Sequence, residues 1–288
     1  SIVQDSETAY WDCQSWGSDD RHLWVTPDGH LHAVYFGCTG SKGEWAQRNS
    51  FYVFSDDNGT TLQPPVRVED IDAEFPAMDI LPDGRAVVAS HNGRGHDFEL
   101  FLSVDSAAGA GNFTRYPAPV TPNNYGKPVV AVLSDSLIVL GGNSVAGGEH
   151  VMNVFNVNTK EYLYAENQII FPGIEGEGTF IVVSNKNGRA AFLLVNFYGF
   201  PLGNVEGENN VWMTETLDGG LTWGDPVMIT HYSNEPDDVQ ELLGSHNLSA
   251  LYLEDNLHVV YVVMNIDVND PSPLASHLVH WCPTVNDG

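Results

Sequence analysis

The chain has 288 residues, 28 of them glycine and 16 proline, and its 42% hydrophobic and 11% aromatic content is enough for a substantial core. The 11 Lys+Arg stand against 38 Asp+Glu, a formal charge of -27, and such a negative field repels nucleic acid and anionic lipid. No apolar run reaches the roughly 18 residues of a membrane span, so insertion into a bilayer is not expected and partners should be neutral, cationic or a metal ion.

In chain order, one unit recurs: a short apolar strand, a tight Asp/Asn/Gly turn and a second apolar strand. It runs through His22–Tyr35 around Asp28-Gly29, Ala77–Ala89 around Asp83-Gly84, Val129–Leu140 around Asp135-Ser136, Thr179–Leu194 around Asn187-Gly188, and Ser249–Val263 around Asp255-Asn256. The turns follow one another at spacings of 52 to 68 residues. Asp-Gly and Asn-Gly supply the positive φ that a two-residue hairpin needs. A third strand is expected after each hairpin, over Ser50–Ser55, Phe98–Ser103, Val151–Phe155, Asn210–Thr216 and His277–Trp281. The first four units offer a fourth strand near Val66, Arg115, Tyr162 and Val227. Helical periodicity is nearly absent; only Asp237–Leu243 fits a helical turn or two.

Four antiparallel strands repeated radially make a propeller blade. The expected fold is therefore all-β, a single domain over 1–288 forming a five-bladed β-propeller. Its blades fall at approximately 19–70, 74–120, 126–170, 177–230 and 246–288. The fifth unit lacks an outer strand, so the N-terminal segment 1–12 is expected to supply it and close the ring. Ser1 starts the chain without a leader pattern, which reads as a processed chain or an excised domain. In this topology Cys13 and Cys38 fall on the upper face and Cys282 on the lower. A Cys13–Cys38 disulfide with Cys282 free is expected, consistent with an oxidising exterior, and Cys13–Cys282 is the alternative.

The turn between third and fourth strands carries the most specific motif. Thr216-Leu217-Asp218-Gly219-Gly220-Leu221-Thr222-Trp223 matches every position of the Asp box, or BNR repeat, Ser/Thr-x-Asp-x-Gly-x-Thr-Trp/Phe. Ser55-Asp56-Asp57-Asn58-Gly59-Thr60-Thr61-Leu62 departs only in its last residue, and Ser103-Val104-Asp105 reads as a decayed third copy. The chain thus resembles the sialidase-type Asp-box propellers. The resemblance implies structural roles for Ser55, Asp57, Gly59, Thr61, Thr216, Asp218, Gly220, Thr222 and Trp223: the Asp accepts backbone amides of its own turn, the Gly permits the reversal and the Trp packs beneath the blade. Asp boxes occur in glycosidases, lectins and receptor ectodomains alike, so activity must be argued from the site.

In propellers the loops entering each first strand and leaving each second strand share one face, at the channel mouth. Aligning the hairpins places Asp19, Asp20, Glu74, Lys127, Glu177, His246 and Asn247 there, with Trp45, Arg48, His91, Asn92, Arg94, His96, Glu149, His150, Tyr198, Asp267 and Asp270 on the rim. Asp20, Glu74 and Glu177 fit the carboxylates of a glycoside hydrolase. Asp19 and Asp20 beside His246 fit Ca²⁺ coordination through oxygen. Arg21, Trp45, Arg94, Tyr125, Tyr198 and His246 fit a glycan-binding surface, and the loop Asn196-Phe197-Tyr198-Gly199-Phe200-Pro201 is unusually apolar. A solvated acidic rim is the plain alternative.

Sialidases resemble one another in three carboxylate-clamping arginines and a Tyr–Glu nucleophile pair. Of the arginines here, Arg67, Arg85, Arg115 and Arg189 fall away from the mouth, leaving Arg21, Arg48 and Arg94 in a field that disfavours an anionic sugar. Five-bladed arabinanases and fructosidases resemble the chain by position only, through the same acidic candidates. The sequence therefore reads as a secreted or cell-surface recognition module, monomeric and glycan-binding. A glycoside hydrolase, and a structural or protein-interaction domain of a larger surface protein, are the alternatives.

Overall fold

The computed structural model describes residues 21–38, 48–92, 98–119, 125–144, 148–174, 179–196, 210–231, 240–267 and 270–284, the side chains at 38, 240–247, 264–267 and 270–276 excepted. All regular structure among them is β, in five antiparallel sheets built from consecutive strands. The first sheet holds β1 (Leu23–Val25), β2 (Leu31–Cys38), β3 (Arg48–Ser55) and β4 (Val66–Arg67). The second holds β5 (Glu74–Ile80), β6 (Ala86–Asn92), β7 (Glu99–Asp105) and β8 (Phe113–Pro117). The third holds β9 (Tyr125–Val132), β10 (Leu137–Ser144), β11 (His150–Asn156), β12 (Glu161–Tyr162) and β13 (Gln168–Ile169). The fourth holds β14 (Phe180–Ser184), β15 (Ala190–Asn196), β16 (Asn210–Thr216) and β17 (Val227–Met228), and the fifth β18 (Gln240–Leu253), β19 (Asn256–Asp267) and β20 (Asp270–Trp281). Turn chemistry sets the inner hairpins, with Gly29, Gly84 and Gly188 at φ 87°, 85° and 87°.

Successive sheets pack face to face. Tyr52 and Phe54 meet Met78 and Val88 between the first and second sheets, and Leu100 and Leu102 meet Leu140 and Phe155 between the second and third. Leu133 and Val154 meet Phe180 and Phe192 between the third and fourth, and Ile181 and Leu193 meet Leu257 and Tyr261 between the fourth and fifth. Inner sheets are covered on both faces, so β15 is buried at every residue, as its unbroken apolar run requires. Among the described residues, the end sheets are covered on one face. Leu23 and Val25 of the first sheet are 59% and 57% exposed, and Leu251, Leu253 and Leu278 of the fifth are 53%, 61% and 71% exposed.

Two expectations need correction. The closed ring of five four-stranded blades is not found: the strand orders are open, the third sheet has five strands and the fifth three, and among the described residues no core joins the fifth sheet to the first. The third sheet gains its strand because β11 is paired at two separate places, Phe155 with Tyr162 and Val151 with Ile169. The segment 1–12 assigned to ring closure lies outside the described residues. The helical turn expected over Asp237–Leu243 is also absent from its described part. From Gln240 the backbone is strand, paired with β19 through Gln240↔Ile266, and that ladder satisfies amides that a single helical turn would leave open.

The first strands of neighbouring sheets are tied together by hydrogen bonds. Met78 N–H donates to Arg21 O at 2.9 Å, Val132 N–H to Asp79 Oδ2 at 2.7 Å, and Gly188 N–H to Leu133 O at 2.8 Å. Asp79 is fully buried in β5. Its Oδ1 accepts the Ile80 amide at 2.7 Å and the Lys186 ammonium at 2.9 Å. Lys186, in the β14–β15 turn at φ 62°, also donates to Ile80 O at 2.6 Å and lies 4.3 Å from the centre of the Trp24 ring. One lysine thus joins the first, second and fourth sheets. Lys186→Met should cost about 3–5 kcal/mol, because it leaves a buried carboxylate without its cation. Urea denaturation will show a lowered midpoint, with partial recovery when Asp79→Asn is added.

Between the first and second sheets, Ser90 Oγ and Ser103 Oγ donate to Glu69 Oε1 at 3.1 and 3.4 Å, and Ser50 Oγ lies 3.1 Å from Ser90 Oγ. Burial pushes the Glu69 carboxyl up to about 8, with the serine hydroxyls and Arg67 opposing it. An acid with a raised folded pKa binds more protons folded than unfolded, so stability falls as pH rises from 4.5 to about 8. Glu69→Gln should remove that slope, as measured by urea denaturation at about pH 5 and about pH 8.

Candidate functional site

Polar side chains gather at the end of the sheets where β5 and β9 begin and β6, β10 and β15 finish. Arg48, opening β3, donates from Nη1 to Glu74 Oε1 at the start of β5, an ion pair between the first and second sheets that is largely buried on both sides. Glu74 is the ladder partner of His91. The backbone N–H of Lys127, in β9, donates to His91 Nδ1 at 3.0 Å, which places the imidazole proton on Nε2. The rings of Phe75 and Phe98 stand 5.3 and 4.7 Å from His91. In the third sheet, Tyr125 OH donates to Glu149 Oε2 at 3.4 Å, and Ser144 N–H donates to Glu149 O at 2.7 Å. His150 is the ladder partner of Asn143 and packs 4.7 Å from Phe180 of the fourth sheet. Asn196 faces Asn210 across β15 and β16.

The histidines here are neutral. Burial pushes His91 down to about 3, helped by Arg48 and Lys127, and pushes His150 down to about 3, helped by Lys127. His22, just before β1, is also lowered by burial, against an opposing hydrogen bond with the Pro76 backbone. Among the described residues His91 Nε2, Asn143 Oδ1, both nitrogens of His150 and Asn196 Oδ1 are buried without a hydrogen-bond partner. A buried polar atom left so costs about 1–3 kcal/mol.

Two residues at this end are strained. Phe75 and Lys127 adopt φ of 51° and 48°, the left-handed region, although each precedes a proline. Both sit where the ladder slips register, between Glu74 and Ala77 in the second sheet and between Gly141 and Asn143 opposite β9. Such a conformation costs a non-glycine residue roughly 1–2 kcal/mol. These two residues supply the Phe75 ring and the Lys127 amide that hold His91.

No protein-family model matches the chain, and no curated protein matches it. Among solved structures it is similar to a protein of unknown function from Dyadobacter fermentans, with TM-score 0.59 and 14% identity, covering 90% of this chain and 74% of that one. It is similar to the NanB sialidase of Streptococcus pneumoniae, with TM-score 0.57 and 10% identity, covering 95% and 62%. It is similar also to the Hadza microbial sialidase Hz136, with TM-score 0.53 and 13% identity, covering 85% and 50%. The arrangement of consecutive antiparallel sheets is shared with these structures. The chain spans only 62% and 50% of the two sialidase chains, and at such identity the likeness concerns the fold, not the chemistry.

In this propeller-like arrangement the motif turns lie at the opposite end from the polar arc. Ser55 Oγ and Thr216 Oγ1 donate to Asp57 Oδ1 and Asp218 Oδ1 at 2.8 and 2.9 Å and accept the Gly59 and Gly220 amides at 3.0 Å each. Asp57 and Asp218 accept the Thr61 and Thr222 amides at 2.8 and 2.9 Å. The two turns therefore share one bond pattern. Asp105 performs the same task in the decayed copy, accepting the amides of Gly111 and Asn112 at 3.0 Å each. Trp223 packs 4.9 Å from Phe192.

Of the site residues named from sequence, Arg21, Glu74 and Tyr125 fall within the described residues. Glu74 is held in its ion pair, Tyr125 is buried against Glu149, and the Arg21 guanidinium lies 5.0 Å from the centre of the Trp24 ring. Asp19, Asp20, Trp45, Arg94, Glu177, Tyr198, Cys13 and the side chains of His246 and Cys38 lie outside them. Cys282 is a buried free thiol. Among the described residues no group of three or more His, Cys, Asp or Glu forms a metal-holding cluster. Arg48, His91, Glu149 and His150, placed on the rim from sequence, come together with Lys127. Asn143 and Asn196 were not anticipated, because each closes an apolar strand and carries no signal beyond an amide at the strand end. Glu74→Gln should lower stability by about 3 kcal/mol, since it leaves the Arg48 charge buried beside a neutral amide. Thermal unfolding monitored by circular dichroism measures it.

Proposed function

We propose that this chain recognises glycan, at the end of its sheets where Arg48, Glu74, His91, Tyr125, Glu149 and His150 gather, and that it does so as a secreted or surface module. The observation that carries the reading is the arc of buried hydrogen-bonding groups with unpartnered atoms at that end. Sugar hydroxyls both donate and accept, and so complement neutral imidazole and amide groups. The fold shared with two proteins named as sialidases adds weight to carbohydrate as the ligand class. The two motif turns are read as Asp boxes in their structural role, far from the ligand. A printed array of neutral and acidic oligosaccharides should give discrete hits for the wild-type chain. Those hits should persist in Asp57→Ala and Asp218→Ala and be lost in Arg48→Ala. Absence of any wild-type hit, with and without added Ca²⁺, overturns the reading; hits that require Ca²⁺ and are lost in Asp19→Asn or Asp20→Asn would support the metal site named from sequence.

A second reading is glycoside hydrolysis, favoured by the hydrogen bond from Tyr125 OH to Glu149 Oε2. A phenol beside a carboxylate that can take its proton has the form of an activated nucleophile. Turnover of nitrophenyl glycosides that disappears in both Tyr125→Phe and Glu149→Gln would establish it. Turnover lost instead in Glu177→Gln or Asp20→Asn would return the chemistry to the carboxylates named from sequence.

A further inference from the structure

Building on the glycan reading above, we infer that Phe75 and Phe98 form a stacking platform for the C–H face of a pyranose ring, with the His91 Nε2–H between them as the hydrogen-bond donor that orients the sugar. Three observations meet at this point. Phe75 and Phe98 are half-exposed aromatic rings flanking one buried imidazole, at 5.3 Å and 4.7 Å with interplanar angles of 55° and 40°. The imidazole nitrogen that carries the proton has no partner, because its other nitrogen is occupied by the Lys127 amide. Phe75 is a bulky residue held at φ 51°. A left-handed backbone suits glycine, and strain of this kind persists where the surrounding structure enforces it and clusters at ligand sites.

The surroundings fit a sugar better than an apolar ligand. Beside Phe75 lies the Arg48–Glu74 ion pair, and beside Phe98 the Asn92 side chain donates to Glu99 Oε2 and accepts the Glu99 amide, both at 3.2 Å. An aromatic face bordered by polar groups matches a pyranose, which presents C–H groups on one side and hydroxyls around its edge. His91 Nε2 is shielded in the free protein, so a small side-chain adjustment of the half-exposed rings must accompany sugar binding while both keep their faces to the sugar.

The test sets stability against binding. Glycine takes the observed φ of residue 75 without strain, which offsets part of the lost packing, so Phe75→Gly should still unfold cooperatively with a modestly lowered Tm while weakening the array signal about tenfold, the scale of a lost aromatic contact. Phe75→Trp should restore the signal. Phe98→Leu, which keeps apolar volume but no flat face, should weaken it independently, so the inference does not depend on one variant folding. Wild-type hits that persist at full strength in both Phe75→Gly and Phe98→Leu overturn this platform and leave the glycan reading standing. A wild-type chain without hits overturns both.

Discussion

A single buried carboxylate organises the centre of this molecule. Asp79 accepts its own neighbour's amide, the Val132 amide from the third sheet and the Lys186 ammonium from the fourth. In a medium of low polarity such a charge is tolerable only when cation and amides are all in place. The three sheets that supply them must therefore be mutually positioned before any one of them is settled. The facing cores contribute most of the apolar burial, but burial alone would permit sheets to slide. The geometry of one charge fixes where the inner strands stop.

The two ends of the sheets differ in chemistry. At the hairpin end, Ser55, Thr216, Asp57 and Asp218 close their own turns, and Lys186 is spent on Asp79. At the opposite end, hydrogen-bonding atoms stay open and two residues are held against their backbone preference. A chain carrying -27 overall places neutral imidazoles and amides there, next to the Arg48–Glu74 ion pair and the hydrogen bond from Tyr125 to Glu149.

The repeated hairpins were readable because their information is local. Asp-Gly and Asn-Gly between apolar runs mark Gly29, Gly84 and Gly188, and the third strands follow where β3, β7, β11 and β16 lie. Long-range features left no trace of this kind. Lys186 reads as an ordinary turn lysine, and Asp79 as a polar residue interrupting an apolar strand. Glu69 reads as one acid among 38. Phe75 and Lys127 were obscured by a rule that usually helps, since a residue before proline is expected to be extended. The sequence places His91 and His150 at the strand ends but carries no sign of their burial. His91 and His150 are buried because Phe75, Phe98 and Phe180 close over them, contacts that no single strand encodes.

The separation of Lys186 from Asp79 by 107 residues also bears on how the chain is made. At ribosomal speeds the lysine leaves the exit tunnel on the order of 5–20 s after the aspartate. Through that interval the second sheet holds a carboxylate with no cation to meet it, and water must stand in for the lysine. The inner strand of the second sheet therefore stays loosely docked until the fourth sheet arrives. Although the sheets follow one another in sequence, the second is completed only by a residue of the fourth, so a chain ending before residue 186 lacks the cation that Asp79 meets in the folded protein.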